Sequence, residues 1–115
     1  MPTFNIFVTT AKKDVPADFV LKASKFIAAQ LGKPESYVTV RLVPDQIMSH
    51  GGSTDPCASV QVFSIGAIGG EKNKNHSQAI GKFINSELGI PIDRFYVTFI
   101  DVARSDCGYN GSTFA

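Results

Sequence analysis

Two stretches of the chain carry hydrophobic residues at helical spacing, and each lies between two short apolar runs. Gly32 fits the left-handed position that ends a helix, and Pro34 prevents the first helix from continuing. Asp14 is the predicted N-cap of that helix, with Pro16 in its first turn and Asp18 at the positive end of the dipole. Its apolar positions share one face: Phe19, Val20, Ala23, Phe26, Ile27 and Leu31.

The second helical stretch repeats this design. It is predicted to begin between Gly70 and Asn73 and is closed by Gly89 and Pro91. Its apolar face consists of Ala79, Ile80, Phe83, Ile84 and Leu88. The flanking runs are rich in β-forming residues and predict four strands, at residues 4–8, 37–43, 60–65 and 95–102.

The chain matches itself without a gap at an offset of 57 residues. Lys25-Phe26-Ile27 falls on Lys82-Phe83-Ile84, and Leu31-Gly32 falls on Leu88-Gly89. The matches coincide with the predicted ends of the elements, so we interpret them as a duplication. One domain over residues 1–115 would then contain two related units, at about 2–44 and 59–102.

These elements predict an α+β fold in which each duplicated β-α-β unit joins two parallel strands by a right-handed crossover. The result would be a four-stranded mixed sheet with two helices on one face, plus short C-terminal strands. Because the strands are close to continuously hydrophobic, the opposite face should be apolar and need a cover. We expect short strands in the tail, residues 103–115, to pair with the open edge of a neighbouring chain. The chain is therefore predicted to form a closed homo-oligomer with its sheets facing inward.

The composition indicates a folded globular protein, with 43% hydrophobic and 18% charged residues and a net charge of +1. This balance gives no sign of a nucleic-acid partner or of a membrane surface. No apolar run is long enough for membrane insertion. The first residues lack the basic region and apolar core of a signal peptide, which indicates synthesis in the cytosol.

Several residues with reactive side chains favour structural roles. Cys57 and Cys107, with the two histidines, lack the spacing of metal ligands, so no metal site is predicted. Val60 stands where a second cysteine would complete a C-x-x-C motif with Cys57, which argues against a dithiol redox cycle. Cys57 should be a small buried residue at a strand start. His50, in the long connection over 44–56, is expected to face solvent, and residues 66–70 to form a tight turn.

The residue with the clearest chemical potential is Pro2. If Met1 is removed, Pro2 becomes the N-terminus and carries a secondary amine that can act as a general base. By itself, Pro2 fits equally the start of an edge strand, where its missing N–H costs little. Lys33 likewise fits a solvated lysine between the end of a helix and Pro34.

Several short motifs spread over the chain resemble, as a set, the macrophage migration inhibitory factor family of the tautomerase superfamily. The resemblance implies a homotrimer of β-α-β-β-α-β subunits whose sheets surround a central channel, with three active sites at the subunit interfaces. It also implies cofactor-free keto–enol tautomerisation of phenylpyruvate-like and dopachrome-like substrates. The motifs are Met1-Pro2, Gly32-Lys33-Pro34, Val43-Pro44-Asp45-Gln46, Gly51-Gly52-Ser53, Asp55-Pro56-Cys57-Ala58, Ser64-Ile65-Gly66, Asp93-Arg94 with Tyr96, and Asn110-Gly111-Ser112-Thr113-Phe114.

The resemblance also assigns roles to residues. Pro2 would be the catalytic base, and Lys33 would bind the substrate carboxylate and lower the pKa of the amine. Tyr96, from the adjoining subunit, would act as acid or hydrogen-bond donor near the reacting carbonyl. The remaining residues would line the site: Ser64 and Ile65, with the Ile65 N–H contacting substrate, and the aromatic residues Tyr37, Tyr109 and Phe114.

This chain departs from the family at three positions of the site. Thr98 replaces an asparagine, so the hydrogen bond to the aryl end of a substrate is in doubt, and Cys107 and Tyr109 replace valine and tryptophan at the pocket mouth. The implied partners are a small aromatic keto acid and, for a cytokine-like ligand, a cell-surface receptor. The implied locations are the cytoplasm and, without a signal peptide, the outside of the cell. The alternative is mainly an extracellular cytokine-like signalling protein with a vestigial pocket.

Overall fold

A mixed four-stranded sheet and two helices make up most of the computed structural model, which describes residues 1–115. The two helices are α1 (Phe19–Leu31) and α2 (Gly70–Leu88). The strands of the sheet are β1 (Thr3–Val8), β2 (Thr39–Val43), β3 (Ala58–Ser64) and β4 (Phe95–Asp101), and a small second sheet contains β5 (Gly108–Tyr109) and β6 (Ser112–Thr113).

The strand order β2-β1-β3-β4 places one β-α-β unit on each side of a central seam. β1 pairs with β2 in parallel and β3 pairs with β4 in parallel, as the sequence predicted. The seam is the antiparallel pairing of β1 with β3, in which Thr3 lies opposite Phe63. The first strand of the chain is therefore an interior strand of the sheet.

The core lies between the helices and one face of the sheet. Every second residue of β1 and β3 points into it and is buried, and α1 and α2 contribute the residues opposite. The ring of Phe83 stacks on Phe26 at 4.5 Å and tilts against Phe19 at 5.8 Å, which joins the two helices. The largest fully buried members are Phe4, Ile6, Val8, Phe19, Ile27, Val60, Val62, Ile80, Ile84 and Ile90.

The opposite face of the sheet is more mixed than the sequence predicted. The residues that alternate with the core positions are partly exposed, and they include Asn5 and Gln61 as well as Phe7 and Phe63. The guanidinium of Arg41 lies 5.8 Å from the centre of the Phe7 ring, a cation–π contact on this face. The strands are less continuously hydrophobic than predicted, because Asn5 and Gln61 interrupt the apolar residues of this face.

Several element ends differ from the predicted ones. Asp14 does not cap α1, because Lys12–Asp14 forms a separate 3-10 turn and Val15 then extends the chain, so that Asp18 takes the N-cap position. β2 begins two residues later than predicted because Glu35–Tyr37 forms a 3-10 turn after Pro34. Both helices end as predicted, at left-handed glycines with φ of 65° and 70°.

The C-terminal tail does form short strands, but they pair with each other. β5 and β6 make an antiparallel hairpin, with Tyr109 opposite Ser112. Positive φ values at Asn110 and Gly111 form its turn. This local pairing needs only a two-residue turn, and the pairing of the tail with the edge of a neighbouring chain stays a prediction. No helix of the chain is long and apolar enough to cross a membrane.

The connection from residue 44 to 56 is held by one side chain. The Arg94 guanidinium donates to the carbonyl oxygens of His50, Ser53, Asp55 and Pro56 at distances of 3.2, 3.1, 3.0 and 2.9 Å. A planar guanidinium offers five fixed N–H donors, which suits several carbonyls that converge on one point. The connection is thus an ordered part of the fold despite its turn-rich composition.

We expect Arg94→Lys to lower the free energy of unfolding by about 2 kcal/mol, because an ammonium cannot reach the four carbonyls together. Urea unfolding followed by circular dichroism measures the change. Arg41→Lys is the matched control, since that arginine contacts only the face of the Phe7 ring. Equal stability of the two variants would show that the Arg94 bonds do not stabilise the fold.

Candidate active site

Three chain segments meet at one end of the sheet because of the topology. β1 starts there, and α1 runs back along it, so that Gly32 and Lys33 return to the start of β1. β3 is antiparallel to β1 and therefore ends there, with Phe63 opposite Thr3 and Ser64 and Ile65 next in the chain. Residues far apart in sequence are thus brought to the N-terminal end of the chain.

A cavity of about 370 Å³ opens at this meeting point. Pro2, which follows Met1, is fully buried. Its carbonyl oxygen accepts a hydrogen bond of 3.0 Å from the Thr39 N–H. The cavity is lined by Met1, Lys33, Pro34, Tyr37, Ile65, Arg104 and Phe114. The N-terminal end of the chain therefore lies in a pocket with apolar, aromatic and cationic walls.

Lys33 is fixed in this pocket by a direct bond. Its Nζ donates to the Ile65 carbonyl oxygen at 2.8 Å, which joins the end of α1 to the end of β3. This placement argues against a freely solvated loop lysine. Burial lowers the pKa of the Met1 amine below its usual 8.0, Cys107 opposes this shift, and Lys33 acts in the same direction as burial.

An aromatic cluster forms one wall. Tyr37 meets Tyr109 and Phe114 edge-on, with ring centres 5.6 and 5.9 Å away, and the rings of Tyr109 and Phe114 stack at 5.6 Å. A smaller adjoining cavity of about 220 Å³ shares Met1, Tyr37 and Phe114 and is also lined by Cys107 and Tyr109. The structure thus brings together six of the predicted site residues around Met1: Lys33, Ile65, Tyr37, Cys107, Tyr109 and Phe114.

Three predicted residues lie elsewhere in the chain. The Ser64 side chain is fully buried, and its hydroxyl donates to the Gly66 carbonyl oxygen at 2.7 Å, so it braces the turn and does not line the cavity. Tyr96 and Thr98 project from the exposed face of β4, and Tyr96 is 77% exposed. Tyr96 is opposite Ser59, at the other end of β3 from Ser64, so one chain does not bring it to the cavity.

The sequence did not identify Arg104, which lines the same cavity as Lys33. The strand pairing contains a signal that could have found it. β3 and β4 are parallel, with Ser64 opposite Asp101, so the residues after Asp101 emerge at the same end of the sheet as Ile65. Arg104 is three residues further along the chain. An arginine in the irregular tail has no sequence pattern of its own, and it was left unassigned.

The comparisons with known proteins agree with this architecture. The family model described as macrophage migration inhibitory factor matches residues 1–115. The chain belongs to the macrophage migration inhibitory factor family. A homolog from Trichuris trichiura is 44% identical over 114 residues, which cover 99% of this chain and all of the relative. The factor from Xenopus laevis is 41% identical over the full length of both chains.

Solved structures of the family show the same fold. The macrophage migration inhibitory factor from Trichinella spiralis superimposes with a TM-score of 0.95 at 39% identity, over 97% of this chain and 99% of the other. A homologue from Prochlorococcus marinus gives a TM-score of 0.90 at 37% identity, over 98% and 99% of the two chains. The family places this chain in the tautomerase superfamily and among the cytokine-like proteins.

A buried histidine of α2, which the sequence did not identify as a site residue, holds the turn after Ile65 in place. His76 of α2 is bonded through Nε2 to the Ala67 carbonyl oxygen at 2.8 Å and through Nδ1 to the Gln30 amide nitrogen at 2.9 Å. A carbonyl oxygen only accepts, so Nε2 carries the proton and Nδ1 accepts from Gln30. Ala67 has a left-handed φ of 64°, which an alanine rarely adopts. The histidine therefore ties α1, α2 and the turn after Ile65 together.

We expect His76→Phe to destabilise the fold by about 2 kcal/mol, because it leaves the Ala67 carbonyl and the Gln30 amide without partners. Amide hydrogens at residues 65–69 should exchange faster than in the parent protein. His76→Gln, which offers one donor and one acceptor, should restore part of the protection. Urea unfolding and hydrogen exchange by mass spectrometry measure the two effects.

His50→Phe serves as the control for this test. The His50 ring packs against Tyr96, with ring centres 5.3 Å apart, and makes no ring hydrogen bond. Amide hydrogen exchange at residues 65–69 of His50→Phe should therefore match that of the parent protein. Unchanged exchange in His76→Phe would mean that the turn holds its shape without the histidine.

Proposed function

We propose that this chain, after loss of Met1, is a cofactor-free keto–enol tautomerase of phenylpyruvate-like and dopachrome-like substrates, with Pro2 as its base. The observation that carries the proposal is the placement of the chain's N-terminal end in a cavity with Lys33, whose Nζ lies 2.8 Å from the Ile65 carbonyl oxygen. Removal of the α-proton from an anionic keto acid requires a proton acceptor and a cation that binds the carboxylate, and this apolar pocket offers both.

In the proposed reaction the Pro2 amine transfers the proton and Lys33 positions the substrate. The Pro2 amine takes the proton from the carbon next to the keto group, and Lys33 holds the substrate carboxylate so that this carbon faces the amine. The Ile65 N–H contacts the bound substrate. The C–H electron pair becomes the C=C bond of the enol, and the π pair of the keto group moves to its oxygen. That oxygen takes the proton that the amine received, which leaves the amine free for the next turnover. Tyr37 and Phe114 pack against an aryl group.

The protonation state of the amine favours this role. The terminal amine of Met1 already has its pKa lowered by burial, opposed by Cys107 and assisted by Lys33. Pro2 is more deeply buried than Met1, so its free amine would be disfavoured in the charged form for the same reason. A neutral amine at neutral pH is the form that accepts a proton.

The proposed site is completed by a second subunit of a homotrimer whose sheets enclose a central channel. Tyr96 would come from the adjoining subunit to act as acid or hydrogen-bond donor, with Thr98 beside it at the rim. Support comes from large apolar side chains that one chain leaves exposed, among them Ile47, Ile92 and Tyr96, and from the two unpaired sheet edges, β2 and β4. We expect Thr98, Cys107 and Tyr109 to alter substrate preference at the pocket mouth.

A second proposed function is that of a cytokine-like ligand. The family is named for such an activity, and the relatives from Trichuris trichiura and Xenopus laevis match over essentially their whole length. We propose that the protein occurs in the cytoplasm, is secreted without a signal peptide and binds a cell-surface receptor. Receptor binding that persists in a variant without turnover would separate this function from catalysis.

Replacement of Pro2 by glycine should reduce phenylpyruvate enolisation by about a hundredfold or more, because the base is no longer a secondary amine held by its ring. An added residue before Pro2 should have a similar effect, since it converts the amine to an amide. Enolisation followed by ultraviolet absorbance measures both variants, and intact mass establishes that Met1 is absent from the parent. Full activity in both variants would exclude Pro2 as the base.

The pH profile of the parent gives an internal control. The value of kcat/KM should rise with pH as the Pro2 amine loses its proton. Burial lowers the pKa of the Met1 amine from 8.0, opposed by Cys107 and assisted by Lys33, and we expect burial of Pro2 to place the midpoint of the profile below 8.0 for the same reason. A midpoint at or above 8.0 would contradict the proposed base.

Sedimentation equilibrium at micromolar concentration should give three times the chain mass of 12.4 kDa. Ile47→Asp should weaken the assembly, because it places a charge on a fully exposed apolar side chain that an interface would bury. Thr54→Asp, an exposed change in the same connection, is the matched control. A monomeric parent would rule out the proposed trimer.

A further inference from the structure

The cavity at the N-terminus contains two cations but no acid. Lys33 and Arg104 both line it, and its other lining residues are Met1, Pro34, Tyr37, Ile65 and Phe114. In the proposed reaction one cation, Lys33, is sufficient for the carboxylate of a keto acid. The second cation is therefore in excess of what a substrate with a single negative charge needs.

Arg104 is attached to the aromatic wall and not to the Lys33 side of the cavity. Its Nε donates to the Phe114 carbonyl oxygen at 3.1 Å, and the Phe114 N–H donates to the Arg104 carbonyl oxygen, also at 3.1 Å. The Phe114 ring belongs to the cluster with Tyr37 and Tyr109. The guanidinium thus lies next to the aromatic surface that would pack against the aryl part of a substrate.

The charged end of Arg104 is free to bind a ligand. The Nε bond to Phe114 leaves both terminal NH₂ groups without a hydrogen-bond partner in the chain. Three ion pairs occur in the chain, Lys22–Glu87, Lys25–Glu35 and Lys74–Glu71, and none involves Arg104 or Lys33. Neither Asp106, in the same 3-10 turn, nor the C-terminal carboxylate neutralises the guanidinium. Two parallel N–H groups of an arginine match the two oxygens of a carboxylate.

We propose that the site prefers aryl keto acids that carry a second carboxylate on the ring, with Arg104 as the residue that recognises it. This inference rests on the proposed function, in which Lys33 takes the first carboxylate and the aromatic wall takes the ring. Arg104 is a specificity-determining residue and takes no part in proton transfer. The substrate class is then a dianionic aromatic keto acid.

The expected effect is limited by solvent, because Arg104 is an exposed residue. Exposed ion pairs contribute a few tenths to one kcal/mol, which corresponds to a preference of roughly twofold to fivefold. The preference should weaken with added salt, since a Debye length of about 8 Å at physiological ionic strength shortens further.

The test compares three ligands with the same arylpyruvate skeleton: phenylpyruvate, 4-carboxyphenylpyruvate and 4-carbamoylphenylpyruvate. The carbamoyl compound keeps the size and planarity of the carboxyl group but lacks its charge. We expect the parent protein to favour the 4-carboxy over the 4-carbamoyl compound by about fivefold, both in kcat/KM and in dissociation constant by calorimetry. In Arg104→Gln this ratio should fall to about one.

Two further variants make the result specific. Arg104→Lys keeps the charge but not the paired N–H groups and should retain part of the preference. Lys13→Gln removes an equal charge at an exposed position outside the cavity and should retain all of it. A ratio near one in the parent protein, or a ratio unchanged in Arg104→Gln, would overturn the inference.

The outcomes also separate the inference from the proposed function. If phenylpyruvate is turned over but the charged ring group gives no advantage, the function stands and the inference fails. If calorimetry shows the preference for the 4-carboxy compound and its loss in Arg104→Gln while no ligand is turned over, the inference stands and the function fails.

Discussion

The antiparallel pairing of β1 with β3 is the constraint on which the rest of the structure depends. It joins two parallel β-α-β units, and its register sets Thr3 opposite Phe63. The start of the chain and the end of β3 therefore lie side by side, and the crossover helix of the first unit returns Lys33 to the same place. A slip of one residue would turn the buried face of the slipped strand outward, so the register that builds the core also sets the geometry of the site.

Lys33 combines two effects that usually oppose each other. Apolar walls raise the cost of any charge in the cavity, and the Ile65 carbonyl oxygen offsets part of this cost by accepting a hydrogen bond of 2.8 Å from Nζ. A cation held in this way lowers the pKa of the terminal amine, in the same direction as burial and against Cys107. In the proposed mechanism the same side chain would both prepare the base and bind the substrate carboxylate.

The sequence was sufficient for the sheet, the helices and the family, because helical spacing, left-handed glycines and the motif set are local signals. It was wrong about Asp14 as a cap and did not predict the hairpin of the tail, since a 3-10 turn and a local hairpin depend on short-range competition between backbone bonds. Most of the site came from the resemblance, and its roles for Pro2 and Tyr96 remain predictions. Arg104 and His76 had no local pattern, because their importance comes from tertiary neighbours: Phe114 and the cavity for one, Gln30 and Ala67 for the other.

The interior position of β1 also has a consequence for the order of events during synthesis. β1 is the first strand to leave the ribosome, but its partner β3 is complete only at Ser64. Until then its apolar residues and the N-terminus stay accessible, whereas in the folded chain Pro2 is fully buried. The proposed removal of Met1 would require a peptidase to bind the residues that follow it, and these residues become strand. Such removal would have to precede folding, and a long sequence separation between paired strands, which slows folding, leaves more time for it.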